Sequence, residues 1–267
     1  MSEQRAIFVS GGASGIGRAI AELFAARGWF VGLGDIDSAG MAALAAMLPA
    51  GRVSTHQLDV RDRGAWERAL AEFIAAAGRL DVLANNAGIP LGGALADNSP
   101  EEITRCLDIN LKGALFGAQA AFPHLVRSAP GSCLLNTASA AGIWGTAGAS
   151  VYSATKFGVR ALTESLDGEW AEHGIAVRSL MPAYIDTPLL DHAPNVTSNE
   201  RIRQRVLDAG LEITPVSDVA KAAWAAVHGE RLHTPVGKTA HRLAFASRWM
   251  PARLRRMSRA SARPMGR

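Results

Sequence analysis

Tyr152 and Lys156 stand four residues apart and carry the strongest hint of chemistry in the sequence. The apolar spacing of residues 151–173 predicts a helix, which puts both side chains on one face, one turn apart. An ammonium then lies beside a phenol. A free phenol titrates at about 10, and a neighbouring cation favours the phenolate, so the pair reads as an acid/base device near neutral pH. Ser139, thirteen residues upstream at the end of an apolar run, can bring a hydroxyl to the same point. Tyr-x-x-x-Lys alone more often marks an ordinary surface helix, so the surrounding sequence has to decide.

A second cluster is the loop Ser10-Gly11-Gly12-Ala13-Ser14-Gly15-Ile16-Gly17, between a short apolar run and the helical pattern of Ile16, Ile20, Leu23 and Phe24. Glycines let the backbone approach a phosphate, and a helix N-terminus offers free N–H donors and the positive end of its dipole to a pyrophosphate. Asp35 ends the second predicted strand eighteen residues after Gly17. That is close to the roughly 20-residue distance at which an acid meets an adenosine ribose. A carboxylate there repels a 2′-phosphate, and no Arg or Lys occupies position 13, 14, 36 or 37 to receive one. NAD is expected as cofactor, with NADP disfavoured by Asp35.

Apolar runs at 6–10, 30–33, 53–58, 80–84, 132–137 and 175–181 read as strands, and helical patterns fill the intervals, including a long one over 101–127. Strict alternation predicts a parallel sheet wrapped on both faces by right-handed crossovers in a single α/β domain. After Pro182 the rhythm breaks. Residues 183–215, with Pro188, Pro194 and Pro215, read as an excursion over the surface before a helix at 217–228 returns to the body.

The 267 residues, 48% of them hydrophobic, suit one domain with a large core. No basic segment with a long apolar run precedes the first strand, and Pro130 and many Gly, Ser and Thr residues interrupt the charge-free stretch 128–155. Neither a secretory signal nor a membrane span is expected, and the protein reads as soluble and cytoplasmic. Cys106 and Cys133 have no metal-ligand spacing, so they read as core residues and no metal is expected. The net charge of +4 hides an asymmetry: residues 231–267 hold 10 Lys/Arg and no acid, against 18 Lys/Arg and 24 Asp/Glu before them. Nucleic acid is not an expected partner, because the rest of the domain is acidic.

With these residues in view, the chain resembles the short-chain dehydrogenase/reductase family over about residues 5–190. Residues 10–17 are similar to the family's Thr-Gly-x-x-x-Gly-x-Gly, with Ser in place of Thr. Asp59-Val60 matches the acid that approaches the adenine ring, Asn85-Asn86-Ala87-Gly88 the Asn-Asn-Ala-Gly motif, and Asn110 the catalytic Asn on the long helix. Ser139, Tyr152 and Lys156 complete the tetrad. The resemblance implies a Rossmann-type doubly wound sheet of six to seven strands, with residues 1–230 as catalytic domain and 231–267 as a basic C-terminal extension. It implies Tyr152 as general acid/base, Lys156 depressing the Tyr pKa and holding the nicotinamide ribose, Ser139 on the substrate oxygen, and Asn110 anchoring a water. Cofactor contacts are implied at Gly11, Ser14, Gly15, Ile16, Gly17, Asp35, Asp59, Val60, Asn86, Ala87, Gly88, Tyr152, Lys156, Pro182, Ile185 and Thr187.

Two departures stand out. The family's Pro-Gly is Pro182-Ala183 here, which puts the path of that turn in question, and the usual C-terminal strand motif is replaced by residues 233–239 and an Arg-rich segment. A short seventh strand is expected near 234–236. Ile143, Trp144, Pro90, Leu91, Tyr184, Leu189 and Leu190 are the expected substrate-facing residues, and their apolar character suggests a hydrophobic secondary alcohol or ketone. A 3-oxoacyl reductase and a non-catalytic dinucleotide-binding regulator are the alternatives. A homodimer or homotetramer is expected. The extension, with Leu243, Phe245, Trp249 and Leu254 among its arginines, reads either as a basic amphipathic helix for an anionic membrane or as a cap on the cleft or a partner subunit.

Overall fold

Successive residues of the first strand enter two different cores, because strand side chains alternate between faces: Ile7 and Val9 in one, Ala6 and Phe8 in the other. The computed structural model describes residues 4–198 and 200–261. Its elements run β1 (Ala6–Ser10), α1 (Gly15–Ala26), β2 (Phe30–Asp35), α2 (Ser38–Ala45), β3 (Val53–Gln57), α3 (Arg63–Ala77) and β4 (Val82–Asn85). Then follow α4 (Pro100–Leu107), α5 (Gly113–Ser128), β5 (Cys133–Thr137), α6 (Ser150–Glu169), β6 (Ala176–Pro182), α7 (Ile202–Asp208), α8 (Val216–Val227), β7 (His233–Val236), α9 (Lys238–Trp249) and α10 (Pro251–Ser261).

The seven strands are parallel, in the order β3-β2-β1-β4-β5-β6-β7, which is the doubly wound Rossmann-type arrangement. Strand order reverses between β1 and β4, and the crevice outside the strand carboxyl ends there is where such sheets bind ligands. Two expectations shift. The fourth strand starts at Val82, not residue 80, because the buried Asp81 carboxylate accepts from Ala6 N at 2.8 Å and from Arg79 Nε at 2.8 Å. The long helix over 101–127 keeps its direction but not its register: Asp108–Lys112 form a π-turn between α4 and α5.

The short seventh strand forms beside β6, and α9 follows it directly. Residues 262–267 of the basic extension lie outside the described residues. Among the described residues, no helix is long and apolar enough to cross a membrane.

Trp66, fully buried on α3, ties this body to the cleft. Its Nε1 donates to Val60 O at 3.1 Å, and Gly117 of α5 makes room for its ring, since a Cβ there would lie 2.7 Å from it. Trp66→Ala should lower stability by about 3–5 kcal/mol, read as a fall in the denaturant midpoint. An unchanged midpoint would show that neighbouring side chains collapse into the space.

Candidate active site

At the sheet's carboxyl edge, Ser10 closes β1 and its Oγ accepts from Asn86 N at 2.9 Å and Ala87 N at 3.2 Å. Asn86 Nδ2 donates back to Ser10 O at 3.1 Å, and Asn86 Oδ1 accepts from Thr137 Oγ1 at 3.2 Å. The ends of β1, β4 and β5 are thereby joined. Gly11 has φ +66°, and a Cβ on it would lie 2.9 Å from Ala87 Cα, so the loop requires glycine. A Cβ on Gly17 would strike the carbonyl oxygen of Gly11, so Gly17 sets how closely α1 approaches its own loop.

Ser14, Gly15 and Ile16 open the first turn of α1 onto a cavity of about 830 Å³ that runs from Asp35, Ile36 and Val60 past Gly88 to Tyr152, Leu189 and Leu243. Ser14 makes no side-chain cap on α1. The first-turn amides have no partner within a helix, and with the dipole they favour an anion. The missing Cβ at Gly11, this helix terminus and the length of the cavity suit a dinucleotide. Asp35 stands at the end of β2, its two oxygens accepting from Ala13 N and Asp37 N at 3.1 Å each. Asp59, also on the wall, is gripped by Arg61 at 2.6 Å, and that hydrogen bond holds its carboxyl below the usual range.

Tyr152 and Lys156 lie on α6 one turn apart, and both face the cavity. Lys156 is 4% exposed; its Nζ donates to Thr137 O at 2.9 Å and stands 5.7 Å from the Tyr152 ring centre. Burial pushes the Lys156 amine down to about 8 and the Tyr152 phenol up to about 12, the latter opposed by the hydrogen bond with Ser139. Against the expectation that Lys156 lowers the Tyr152 phenol stands burial, the largest influence on that phenol, while the ammonium donates to the Thr137 carbonyl. Ser139 Oγ also accepts from Ala141 N at 3.1 Å and donates to Pro182 O at 3.4 Å.

Asn110 sits inside the π-turn, buried and off the cavity wall. Its Oδ1 accepts from Ile89 N at 2.8 Å and its Nδ2 donates to Ile89 O at 2.9 Å, so the side chain pairs with the backbone of the loop after β4. Ile89 and Gly88 both line the cavity.

Pro90, Leu91, Tyr184, Leu189 and Leu190 line the cavity, as do Pro182, Ile185 and Thr187, and Thr187 stands against the glycine loop, 3.5 Å from where a Cβ on Gly15 would lie. Ile143 and Trp144 are corrected: neither lines it. Ile143 packs inward on Ala114, Ala138, Val159 and Met181, and residues 146–149 form the wall instead. The turn at Pro182-Ala183 is settled without strain. Ala183 N donates to Val236 O at 3.2 Å, and among the described residues no non-glycine has positive φ.

Sequence reasoning missed Arg61, Arg105, His192 and Arg205, all on the cavity wall. It also missed how residues 183–215 cross the cleft. Gly92 N donates to Pro194 O at 2.7 Å, Val196 N to Glu102 Oε1 at 2.9 Å, and Arg203 bridges Asp186 and Asp191. Of the basic extension, Thr239 and Leu243 reach the cavity, and the helical spacing of Leu243 was the only signal for that.

The profile of the short chain dehydrogenase family matches residues 5–196. The 3-alpha-(or 20-beta)-hydroxysteroid dehydrogenase of Mycobacterium tuberculosis is 37% identical over 212 residues, 79% of this chain and 78% of that protein. Meso-2,3-butanediol dehydrogenase of Serratia marcescens is 32% identical over 203 residues, 75% of this chain and 80% of that protein. The crystal structure of 3-ketoacyl-(acyl-carrier-protein) reductase from Brucella melitensis complexed with NADH superposes with a TM-score of 0.78 at 25% identity, over 89% of this chain and 99% of that one.

In the cofactor-free protein, the Lys156 amine should titrate at about 8, followed as a lysine side-chain signal by NMR and assigned with Lys156→Met. A titration at the ordinary lysine value would mean that water reaches the amine.

Proposed function

The chain belongs to the short chain dehydrogenase family of oxidoreductases, and within it we propose an NAD(H)-dependent enzyme that interconverts a hydrophobic secondary alcohol and its ketone, with Tyr152 as general acid/base. The observation that carries this is the meeting of Ser139, Tyr152 and Lys156 on one wall of a cavity whose other end is a glycine-lined helix terminus. A nicotinamide dinucleotide bound there supplies or accepts the hydride.

The residues do the rest. Tyr152 exchanges a proton with the substrate oxygen, and burial keeps its phenol protonated, poised to donate when a ketone is reduced. Ser139 holds the same oxygen through its hydroxyl. Lys156, fixed by Thr137, lies close enough to stabilise a phenolate when the proton moves the other way. Asn110 acts at one remove, by fixing the Gly88-Ile89 backbone.

For the cofactor end we assign Gly11, Ser14, Gly15, Ile16, Asp35, Asp59, Val60, Asn86, Ala87 and Gly88 as contacts, with Gly17 setting the loop. NAD over NADP rests on the Asp35 carboxylate, which lines the cavity and repels a 2′-phosphate. A hydrophobic substrate is supported by Leu91, Leu189, Leu190, Val206 and Leu211 on the far wall, and by relatives named for hydroxysteroid and butanediol. A homodimer or homotetramer in the cytoplasm completes the proposal; exposed Leu107, Leu115 and Phe157 on α4 to α6 offer a surface for association. A 3-oxoacyl substrate is the second reading, favoured by the likeness to the 3-ketoacyl reductase that was crystallised with NADH.

Tyr152→Phe should lose about 10²–10⁴-fold in turnover while NADH binding, read by fluorescence, stays within about two-fold of wild type. Near-normal turnover would remove Tyr152 from the chemistry. Asp35→Ala should raise the KM for NAD well over ten-fold relative to that for NADP, about 1.4 kcal/mol of discrimination or more. Parallel changes for the two cofactors would sink the NAD assignment. A panel of secondary alcohols, diols, steroids and 3-oxoacyl thioesters, followed at the NADH absorbance band, separates the two substrate classes. NAD binding without turnover anywhere on the panel would point to a non-catalytic regulator.

A further inference from the structure

α9 has two faces that differ in kind. Thr239, Ala240, Leu243, Ala244 and Ser247 turn inward; Thr239 and Leu243 line the cavity, and Ala240 is fully buried. Lys238, His241, Arg242, Phe245, Arg248 and Trp249 are exposed. At 100° per residue these six fall within one arc of about 120°, so they form a continuous stripe and not a scatter. Phe245 is 59% exposed and Trp249 65% exposed, unusually open positions for aromatic side chains.

Among the described residues, only Lys238 of this stripe has an acidic partner. Lys238 pairs with Glu212, but among the described residues no ion pair engages Arg242 or Arg248, or Arg253, Arg255, Arg256 and Arg259 of the adjoining α10. Arg248 lies over the Trp249 ring at 5.4 Å. The extension contains no acidic residue. Cations flanking exposed aromatic rings are the composition of a helix that lies in the plane of an anionic bilayer, rings in the acyl boundary and guanidinium groups among the headgroups. A protein partner of ordinary composition would bring carboxylates for the arginines, but it would not account for the placement of this stripe on the far side of the cavity wall.

We propose that the outer face of α9, extended by the arginines of α10, docks the enzyme on an anionic lipid surface, with its substrate cavity directly behind the docking helix. The link to the substrate rests on the proposed hydrophobic alcohol or ketone, which would partition into lipid and reach the cavity past Leu243. The docking itself does not rest on that.

The test is sedimentation of the full-length protein with vesicles of phosphatidylglycerol and phosphatidylcholine, against vesicles of phosphatidylcholine alone. The expected result is binding at least ten-fold tighter to the anionic vesicles, weakened by salt through screening. The pairs Phe245→Ser with Trp249→Ser, and Arg242→Glu with Arg248→Glu, should each reduce binding at least ten-fold. Both should leave turnover of a water-soluble secondary alcohol, and the molar mass by light scattering, unchanged. Failure of the wild type to bind anionic vesicles, or equal binding by wild type and variants, overturns the proposal. A drop in molar mass in the variants without lipid also overturns it, by identifying the stripe as a contact between copies of the chain. Vesicle binding is read without turnover, so its result stands apart from the outcome of the substrate panel.

Discussion

The hydrogen-bonded seam from Ser10 through Asn86 and Thr137 to Lys156 ties four elements together along the cleft. Ser10 joins the glycine loop before α1 to the loop after β4, Asn86 joins that loop to β5, and the Thr137 carbonyl receives the ammonium of α6. Directly beneath, Asn85 Nδ2 donates to Asn136 Oδ1 at 3.2 Å and Asn136 Nδ2 to Thr163 Oγ1 at 3.0 Å. All of these groups but the half-buried Asn86 are buried, and each of those would be costly to leave unpaired, so the seam is rigid in a way that an apolar junction is not. The glycine loop before α1 and the helix that carries Tyr152 and Lys156 are thus parts of one network, although 139 residues separate Gly17 from Lys156 in the chain.

Burial, more than pairing, sets the electrostatics around Tyr152 and Lys156. A water-poor wall raises the Tyr152 phenol and lowers the Lys156 amine, bringing two values that differ little in water onto opposite sides of their usual positions. In that condition the wall holds a proton on the phenol and only weakly on the amine. A ligand that brings hydroxyls or charge into the cavity can change this balance strongly, because little water screens it.

Local rules made most of the machinery visible. The glycines at 11 and 17, the acid at 35 and the Tyr–Lys helical spacing are requirements of backbone geometry and side-chain direction, and they fall where the sequence placed them. What escaped notice depends on contacts far along the chain. Ile143 is as apolar as Leu189, and nothing within its own segment says that it faces Met181 and not the cavity. Arg105 and Arg205 reach the wall only because α4 and the excursion of residues 183–215 meet across it. Asn110 was located by motif, but its pairing with Ile89 depends on a change of helix register that no propensity reveals.

That change of register has a consequence for how this chain can vary. The π-turn at Asp108–Lys112 accommodates one residue more than an α-helix would in the same rise. The bulge takes up the extra residue locally, so removing it would let a regular helix form with α5 still turned as it is. Gly117 would still meet Trp66 and Leu125 would stay in the core, but Asn110, inside the bulge, would lose its place opposite the Ile89 backbone. The extra residue is therefore a local device: the fold of α5 does not need it, and what it secures is the position of one side chain against the loop after β4.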